Sequence, residues 1–283
     1  MDNPIATFSL WSGLFGGLAL FLFGMDIVTQ ALKSAAGDYM KDLLAKLTRN
    51  RIAGVGIGAF VTAIIQSSSI TTVLLVGFIS AGLLSMSQSI PVIIGANIGS
   101  TVTAQILAFK VTQLALPMIT AGFLLSFTAR DNNWKQAGFI VLGLGLVFYG
   151  MGLMSSAMSP LRTYPPFIDF MLSMQSPLLA VAVGALFTAV VQSSAATTGI
   201  LIAMASLGLV SLETAIAIAM GANIGTCVTA GLASIGKPRE AVRAAVVHTI
   251  FNIAGVLLWV SFIPQLVELA HWMSPVAEGL SGT

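Results

Sequence analysis

Residues 62–72 read Thr62-Ala63-Ile64-Ile65-Gln66-Ser67-Ser68-Ser69-Ile70-Thr71-Thr72, a carboxamide and a run of hydroxyls in the middle of an apolar segment. The pattern returns at Thr188-Ala189-Val190-Val191-Gln192-Ser193-Ser194-Ala195-Ala196-Thr197-Thr198. A second polar motif follows each copy: Gly95-Ala96-Asn97-Ile98-Gly99-Ser100, then Gly221-Ala222-Asn223-Ile224-Gly225-Thr226. Gln66 and Gln192 stand 126 residues apart, and so do Asn97 and Asn223. At that offset 7 of 11 positions are identical over 62–72, and 7 of 10 over 94–103. The register extends to Phe23-Gly24-Met25 against Tyr149-Gly150-Met151, so the duplicated unit covers at least 17–104 and 143–230. A repeated unit with uncharged polar clusters inside hydrophobic segments is the sequence mark of a secondary transporter.

Composition sets the surroundings. The chain has 283 residues, 57% hydrophobic and 8% charged, with mean hydropathy +0.97. A soluble domain carries roughly 25% charged residues, so this composition reads as a multi-pass protein of the cell (inner or plasma) membrane with the lipid bilayer as its partner. A net charge of +2 offers nothing for a nucleic acid. One cysteine, Cys227, excludes a disulfide framework. Met1-Asp2-Asn3-Pro4 lacks the basic segment of a cleaved signal peptide, so the first apolar stretch is expected to stay as a helix.

A spanning helix needs about 20 mostly apolar residues. Full spans are expected at 9–30, 113–129, 136–157 and 241–261. Segments 89–109 and 214–235 are long enough to span, but each is expected to break at its Gly-Ala-Asn-Ile-Gly motif. Segments 52–84 and 178–209 each exceed 30 residues. As single helices they would reach roughly 50 Å, too long for a core of about 30 Å. Re-entrant hairpins with Gln-Ser at their tips fit better, because non-helical backbone is tolerated at membrane depth where it lines a cavity.

Each repeat then crosses three times, and the second is inverted relative to the first. Loop charge is consistent with this, with 10 Lys/Arg on one side and 2 on the other. Letting both long segments span fully gives parallel repeats and the same tally. The equivalent loops separate the readings: 31–51 carries five Lys/Arg and 157–177 carries one. The fold class read from sequence is therefore an all-α polytopic membrane protein with two inverted repeats, each holding a hairpin and a broken helix. Repeat one is 1–130, repeat two is 131–262, and 263–283 is an interfacial tail anchored by Trp272. Loop 31–51 reads as an interfacial helix, with Leu32, Tyr39, Leu43 and Leu47 at helical spacing.

The polar clusters suggest their own chemistry. At a hairpin tip the second arm starts at the serines, so its first N–H groups are unpaired at the positive end of the helix dipole. Gln66, Ser67, Ser68 and Ser69, with Gln192, Ser193 and Ser194, could thereby hold an anion without a fixed positive charge. The first arm ends in unpaired carbonyls suited to Na⁺. Asn97 and Asn223 are expected to bond freed backbone at the helix breaks, and Gly99 and Gly225 to let backbone approach a ligand. Ser100, Thr226, His248 and Asn252 are candidates for supporting contacts. Thr62, Thr103, Thr188 and Thr229 read as packing residues as readily as ligands. Asp26 lies near the end of the first span, where Gly152 holds the equivalent place, and reads as reaching the interface. Ser69 faces Ala195 across the repeat, so the two tips differ. No nucleophile motif accompanies the serines, so no enzyme and no cofactor is expected.

Paired Gln-Ser-Ser motifs, each followed about 30 residues later by Gly-Ala-Asn-Ile-Gly, resemble the type II sodium–phosphate cotransporter family. His248-Thr249-Ile250-Phe251-Asn252 is similar to that family's H-x-x-F-N segment. The resemblance covers about 10–255. It implies inorganic phosphate as substrate and Na⁺ as coupling ion, with Gln66, Ser67, Ser68, Ser69, Gln192, Ser193 and Ser194 as contacts. Thr71, Thr72, Thr197 and Thr198 follow as second contacts, and Gln66, Asn97, Gln192 and Asn223 would supply oxygens to Na⁺. Two departures stand out: the second motif is Gln-Ser-Ser-Ala, and only about 20 residues separate Ala157 from Leu178, where animal members carry a large extracellular loop; the PhoU-like C-terminal domain of some bacterial members is likewise not expected. The expectation is a minimal prokaryotic sodium-coupled phosphate symporter. A sodium-independent phosphate or anion channel or exporter is the alternative, and a homodimer is left open.

Overall fold

The computed structural model describes residues 4–36, 50–108, 112–174 and 176–273, and among these the regular structure is entirely helical. Twelve α-helices are described: α1 Pro4–Ala36, α2 Arg51–Ile65, α3 Ser68–Ser80, α4 Met86–Ala108, α5 Ala115–Thr128, α6 Asn132–Met158, α7 Pro165–Ser173, α8 Pro177–Val191, α9 Ser194–Ser206, α10 Leu212–Ser234, α11 Arg239–Trp259 and α12 Ile263–Met273. Among the described residues, five stretches are long and apolar enough to cross a membrane: Phe8–Leu32, Met86–Ala108, Asn132–Leu161, Leu212–Ser234 and Arg239–Met273. The protein is an all-α, multi-pass membrane protein.

Between helices in lipid there is no hydrophobic driving force, so close packing of small residues does the work. α1 and α6 meet along such a seam. A Cβ on Gly17 would strike Gly150, and one on Gly24 would strike Gly143. As the contact moves forward along α1 it moves backward along α6, so the two helices run antiparallel. Phe21, Val147 and Met154 fill the seam and are completely buried. α5 packs on the outside of α6, with Gly122 against Leu142 and Gly138 against Ser126.

Segments 51–80 and 177–206 break where the sequence places the Gln-Ser clusters. α2 stops at Ile65 and α8 at Val191, and the next residue takes a left-handed conformation: Gln66 at φ 58°, ψ 22° and Gln192 at φ 56°, ψ 23°. Ser67 then caps α3, accepting from Ile70 N–H at 3.3 Å, and Ser193 caps α9, accepting from Ala196 N–H at 3.1 Å. The far ends match as well. Gly82 (φ +71°) and Gly208 (φ +68°) end α3 and α9, with Leu83 N–H on Phe78 O at 2.9 Å and Leu209 N–H on Met204 O at 3.0 Å. α4 lies parallel to α2, because Gly58 meets Val92 while Gly99 meets Ala59 and Thr62. α3 therefore carries the chain back to the end from which α2 set out. α8, α9 and α10 repeat this arrangement, with Gly184 on Ile218 and Gly225 on Ala185 and Thr188.

Two expectations need correction. α4 and α10 do not break at Gly-Ala-Asn-Ile-Gly; both are continuous for 23 residues. The glycines serve packing instead, since a Cβ on Gly95 or Gly221 would collide with the carbonyl of Val55 or Val181. The span expected over 113–129 is shorter than a crossing. A 3₁₀ turn at Thr112–Leu114 leads into α5, whose 14 residues reach about 21 Å. Its C-terminal end falls one residue from the expected one, and Asp131 caps the next helix, its carboxylate accepting from the N–H groups of Asn133 and Trp134. In the tail, 263–273 forms α12 with Trp272 exposed, while 274–283 lies outside the described residues. The interfacial helix expected over 31–51 falls largely on 37–49, which also lie outside them.

Candidate functional site

Both hairpin tips open on one cavity of about 460 Å³. Its wall holds Gln66, Ser67, Ser68 and Ser69 from the first tip, and Gln192, Ser193, Ser194 and Thr198 from the second. α4 adds Asn97 and Ser100, and α10 adds Asn223. The register of α2 on α4 sets the depth of the first tip. Thr62 sits against Gly99, close to the middle of α4 (Met86–Ala108), and Gln66 is one turn further on. That puts the tip within about 10 Å of the helix midpoint.

The two tips are locally alike but differently exposed. In each, a buried threonine pair ties the arms together: Thr62 Oγ1 to Thr71 Oγ1 at 2.9 Å, and Thr188 Oγ1 to Thr197 Oγ1 at 2.7 Å. Gln66 is 8% exposed and its amide donates to the Ala63 carbonyl. Gln192 is exposed to the cavity. Ser68 and Ser69 are buried at the wall, and capping is left to Ser67, so their hydroxyls are not spent on closing the helix. The N–H groups of Ser68 and Ser69 precede the helical ladder and add donors at the positive end of the dipole.

Several residues expected at the site lie elsewhere, and others on its wall are already hydrogen-bonded within the protein. Thr71 and Thr197 are held in the threonine pairs, and Thr72 is buried with its hydroxyl on the Ser68 carbonyl at 2.9 Å. Gly99 and Gly225 face the backbones of α2 and α8 rather than the cavity, so they cannot bring backbone to a ligand. Thr226 bonds the Asn223 carbonyl at 2.8 Å, and Ser100 bonds the Asn97 carbonyl at 2.7 Å. Asn97 does not bond freed backbone; its amide donates to Asn252 Oδ1 at 3.0 Å, and Asn252 in turn donates to the His248 carbonyl at 2.9 Å. His248 is completely buried behind that link, with its Nε2 4.0 Å from Cys227 Sγ.

Other wall residues carried a weaker signal. Asp26, read as an interfacial carboxylate, lines the cavity, and its Oδ2 accepts from Gln30 Nε2 at 2.6 Å. The signal for it was an acidic residue inside the apolar stretch 8–32. Thr103 also lines the cavity, and its buried hydroxyl has no partner among the described residues. Leu107 closes one end, a role no polarity pattern could reveal. Among the described lining residues Asp26 is the single ionisable group: none is Lys, Arg or His.

A family model described as Na⁺/Pi-cotransporter matches residues 20–156 and 170–277. The chain belongs to the Na⁺/Pi-cotransporter family. This is a family of transporters rather than enzymes. A Bacillus subtilis (strain 168) relative named only YqeW is 32% identical over 259 residues, covering 91% of this chain and 84% of that protein. YjbB of Escherichia coli (strain K12), named as a candidate inorganic phosphate export protein, is 26% identical over 267 residues. That match covers 94% of this chain but 49% of YjbB, so the chain spans about half the length of that relative. The rat sodium-dependent phosphate transport protein 2A is 26% identical, over 87% of this chain and 60% of its own length. No solved structure matches the chain.

Proposed function

We propose that the protein is a secondary transporter that carries inorganic phosphate together with Na⁺ across the cell membrane by alternating access. The observation that carries this reading is the cavity shared by both Gln-Ser tips, rich in hydroxyl and amide groups and free of lysine, arginine and histidine among its described lining. A phosphate there meets helix N-termini and hydroxyls, which supply only partial positive charge. It also faces the Asp26 carboxylate. Two negative groups in a low-dielectric cavity require a mobile cation, so anion and cation bind cooperatively. Carbonyl oxygens at the ends of α2 and α8, with the side-chain oxygens of Gln66, Asn97, Gln192 and Asn223, are suited to Na⁺.

We read the two repeats as inverted. α1 and α6 stand 126 residues apart in register and run antiparallel, and they exchange equivalent contacts: Gly17 meets Gly150, while Gly143, its repeat partner, meets Gly24, the repeat partner of Gly150. Such an exchange is what a pseudo-two-fold axis through the seam produces. The hairpins then enter from opposite faces. By loop charge, the end carrying Arg51 and Lys237 is cytoplasmic.

The test is uptake of labelled phosphate into proteoliposomes under an inward sodium gradient. Gln66→Ala and Gln192→Ala are expected to abolish it while the purified variants elute and melt like the parent. Uptake that persists in both would remove the tips from the site. The name of the E. coli relative favours a second reading, sodium-independent export through the same cavity. Phosphate flux indifferent to sodium in the parent protein would select it.

A further inference from the structure

A second cavity, of about 530 Å³, adjoins the first. Leu107, only 1% exposed, lines both. One wall of each cavity is related by the repeat. Leu22, Met25 and Thr29 of α1 line the first cavity; Phe148, Met151 and Ser155 of α6, each 126 residues later, line the second. α1 and α6 cross between the Gly17–Gly150 and Gly24–Gly143 contacts. Residues 22–29 and 148–155 both lie on the C-terminal side of that crossing. Because the helices are antiparallel, these two walls extend toward opposite ends of the molecule.

The geometry points to the second cavity as the opposite-side vestibule for the same oxyanion, with Leu107 as the apolar seal between it and the cavity of the Gln-Ser tips. This rests on the phosphate-transport reading and extends it. The second cavity offers the neutral donors a partly hydrated phosphate needs: Gln113, Tyr149, Ser156 and Ser206 line it, and Ser155 Oγ lies 3.4 Å from Ser206 Oγ. Again, none of its described lining residues is Lys, Arg or His. The seal is a continuous apolar cluster in which Leu107 joins Met25, Phe148 and Met151. A desolvated constriction of this kind excludes water and hydrated ions, the way hydrophobic gates close pores. The repeat relation explains why the vestibule is already formed. When the two repeats exchange their arrangements, the α6 wall takes the role the α1 wall has here.

Two measurements test this. In a Cys227→Ser background, which removes the single native thiol, Thr29→Cys and Ser155→Cys are reacted with a membrane-impermeant methanethiosulfonate in vesicles of known orientation. Thr29→Cys is expected to react from one face and Ser155→Cys from the other. Reaction of both from the same face, or of neither, overturns the vestibule. Leu107→Ala, checked for parental elution and melting, is expected to discharge a preset phosphate gradient without sodium, while Leu107→Ile holds it. A Leu107→Ala variant as tight as the parent overturns the seal, and a leak of equal size in Leu107→Ile does the same. Labelling needs no phosphate movement, so it reads the vestibule even if phosphate is the wrong substrate. Failed labelling beside intact, Gln192-dependent uptake removes the vestibule alone.

Discussion

Replacing Gln192 with glycine separates what the fold wants at the tip from what transport wants. Gln192 sits at φ 56°, ψ 23°, a conformation that costs a residue with a Cβ about 1–2 kcal/mol and costs glycine nothing. Glycine returns about 0.5–1 kcal/mol of that through the greater freedom of the unfolded chain. The Gln192 side chain is exposed to the cavity, so its removal leaves no buried group unpaired. Gln192→Gly should therefore be between neutral and about 1.5 kcal/mol more stable than the parent, a rise in melting temperature of up to about 3–6 °C. Phosphate uptake should nonetheless be lost, because a strained non-glycine residue kept at the tip points to a need for its side chain. Gln192→Ala keeps the backbone cost and should lose uptake at an unchanged or slightly lower melting temperature. Thermal unfolding in detergent and proteoliposome uptake measure the two halves. A Gln192→Gly protein that transports normally, or one that melts several degrees lower, would refute the reasoning.

Other outcomes follow from the packing. Gly221→Ala should cost about 1–3 kcal/mol or prevent folding, since the new methyl group collides with the Val181 carbonyl; thermal unfolding reads it. Asn252→Leu should cost about 1–3 kcal/mol by removing the acceptor for Asn97, and a double-mutant cycle with Asn97→Ala should show coupling of about 1 kcal/mol. Thr188→Val should cost about 1 kcal/mol and leave uptake close to parental, because Thr197 keeps its bond to the Ser193 carbonyl at 3.2 Å. A Thr188→Val protein that folds but transports nothing would show that the threonine pair contributes more than packing.

Sequence reading reached the helix breaks at Gln66 and Gln192 because no single helix of that length fits a bilayer, and the Gln-Ser clusters lie near the middle of each segment. It misjudged Gly-Ala-Asn-Ile-Gly for a related reason. Glycine permits a break and also permits contact between backbones, and the choice depends on what lies opposite, here the carbonyls of Val55 and Val181. The shortness of α5 was hidden because the expected span took in Gln113 and Leu114, which form a 3₁₀ turn rather than part of the α-helix. The shared cavity was half legible: Gln66, Ser68, Gln192 and Asn223 announced themselves by polarity in an apolar setting. Thr72 and Thr197 carried the same polarity but turn inward to hydrogen bonds within their own hairpins. Leu107 could not be found from composition at all, since its importance comes from lying between two cavities.

The central claim is that sodium and phosphate move together through the cavity of the two tips. The most direct measurement is the steady-state concentration of labelled phosphate inside proteoliposomes, with equal phosphate on both sides at the start and sodium outside only. The account requires phosphate to accumulate inside above the external concentration, and the excess to vanish when sodium is made equal or Gln192 is changed to alanine. Phosphate that stays at its starting level while moving freely across the membrane, whatever the sodium gradient, would contradict it.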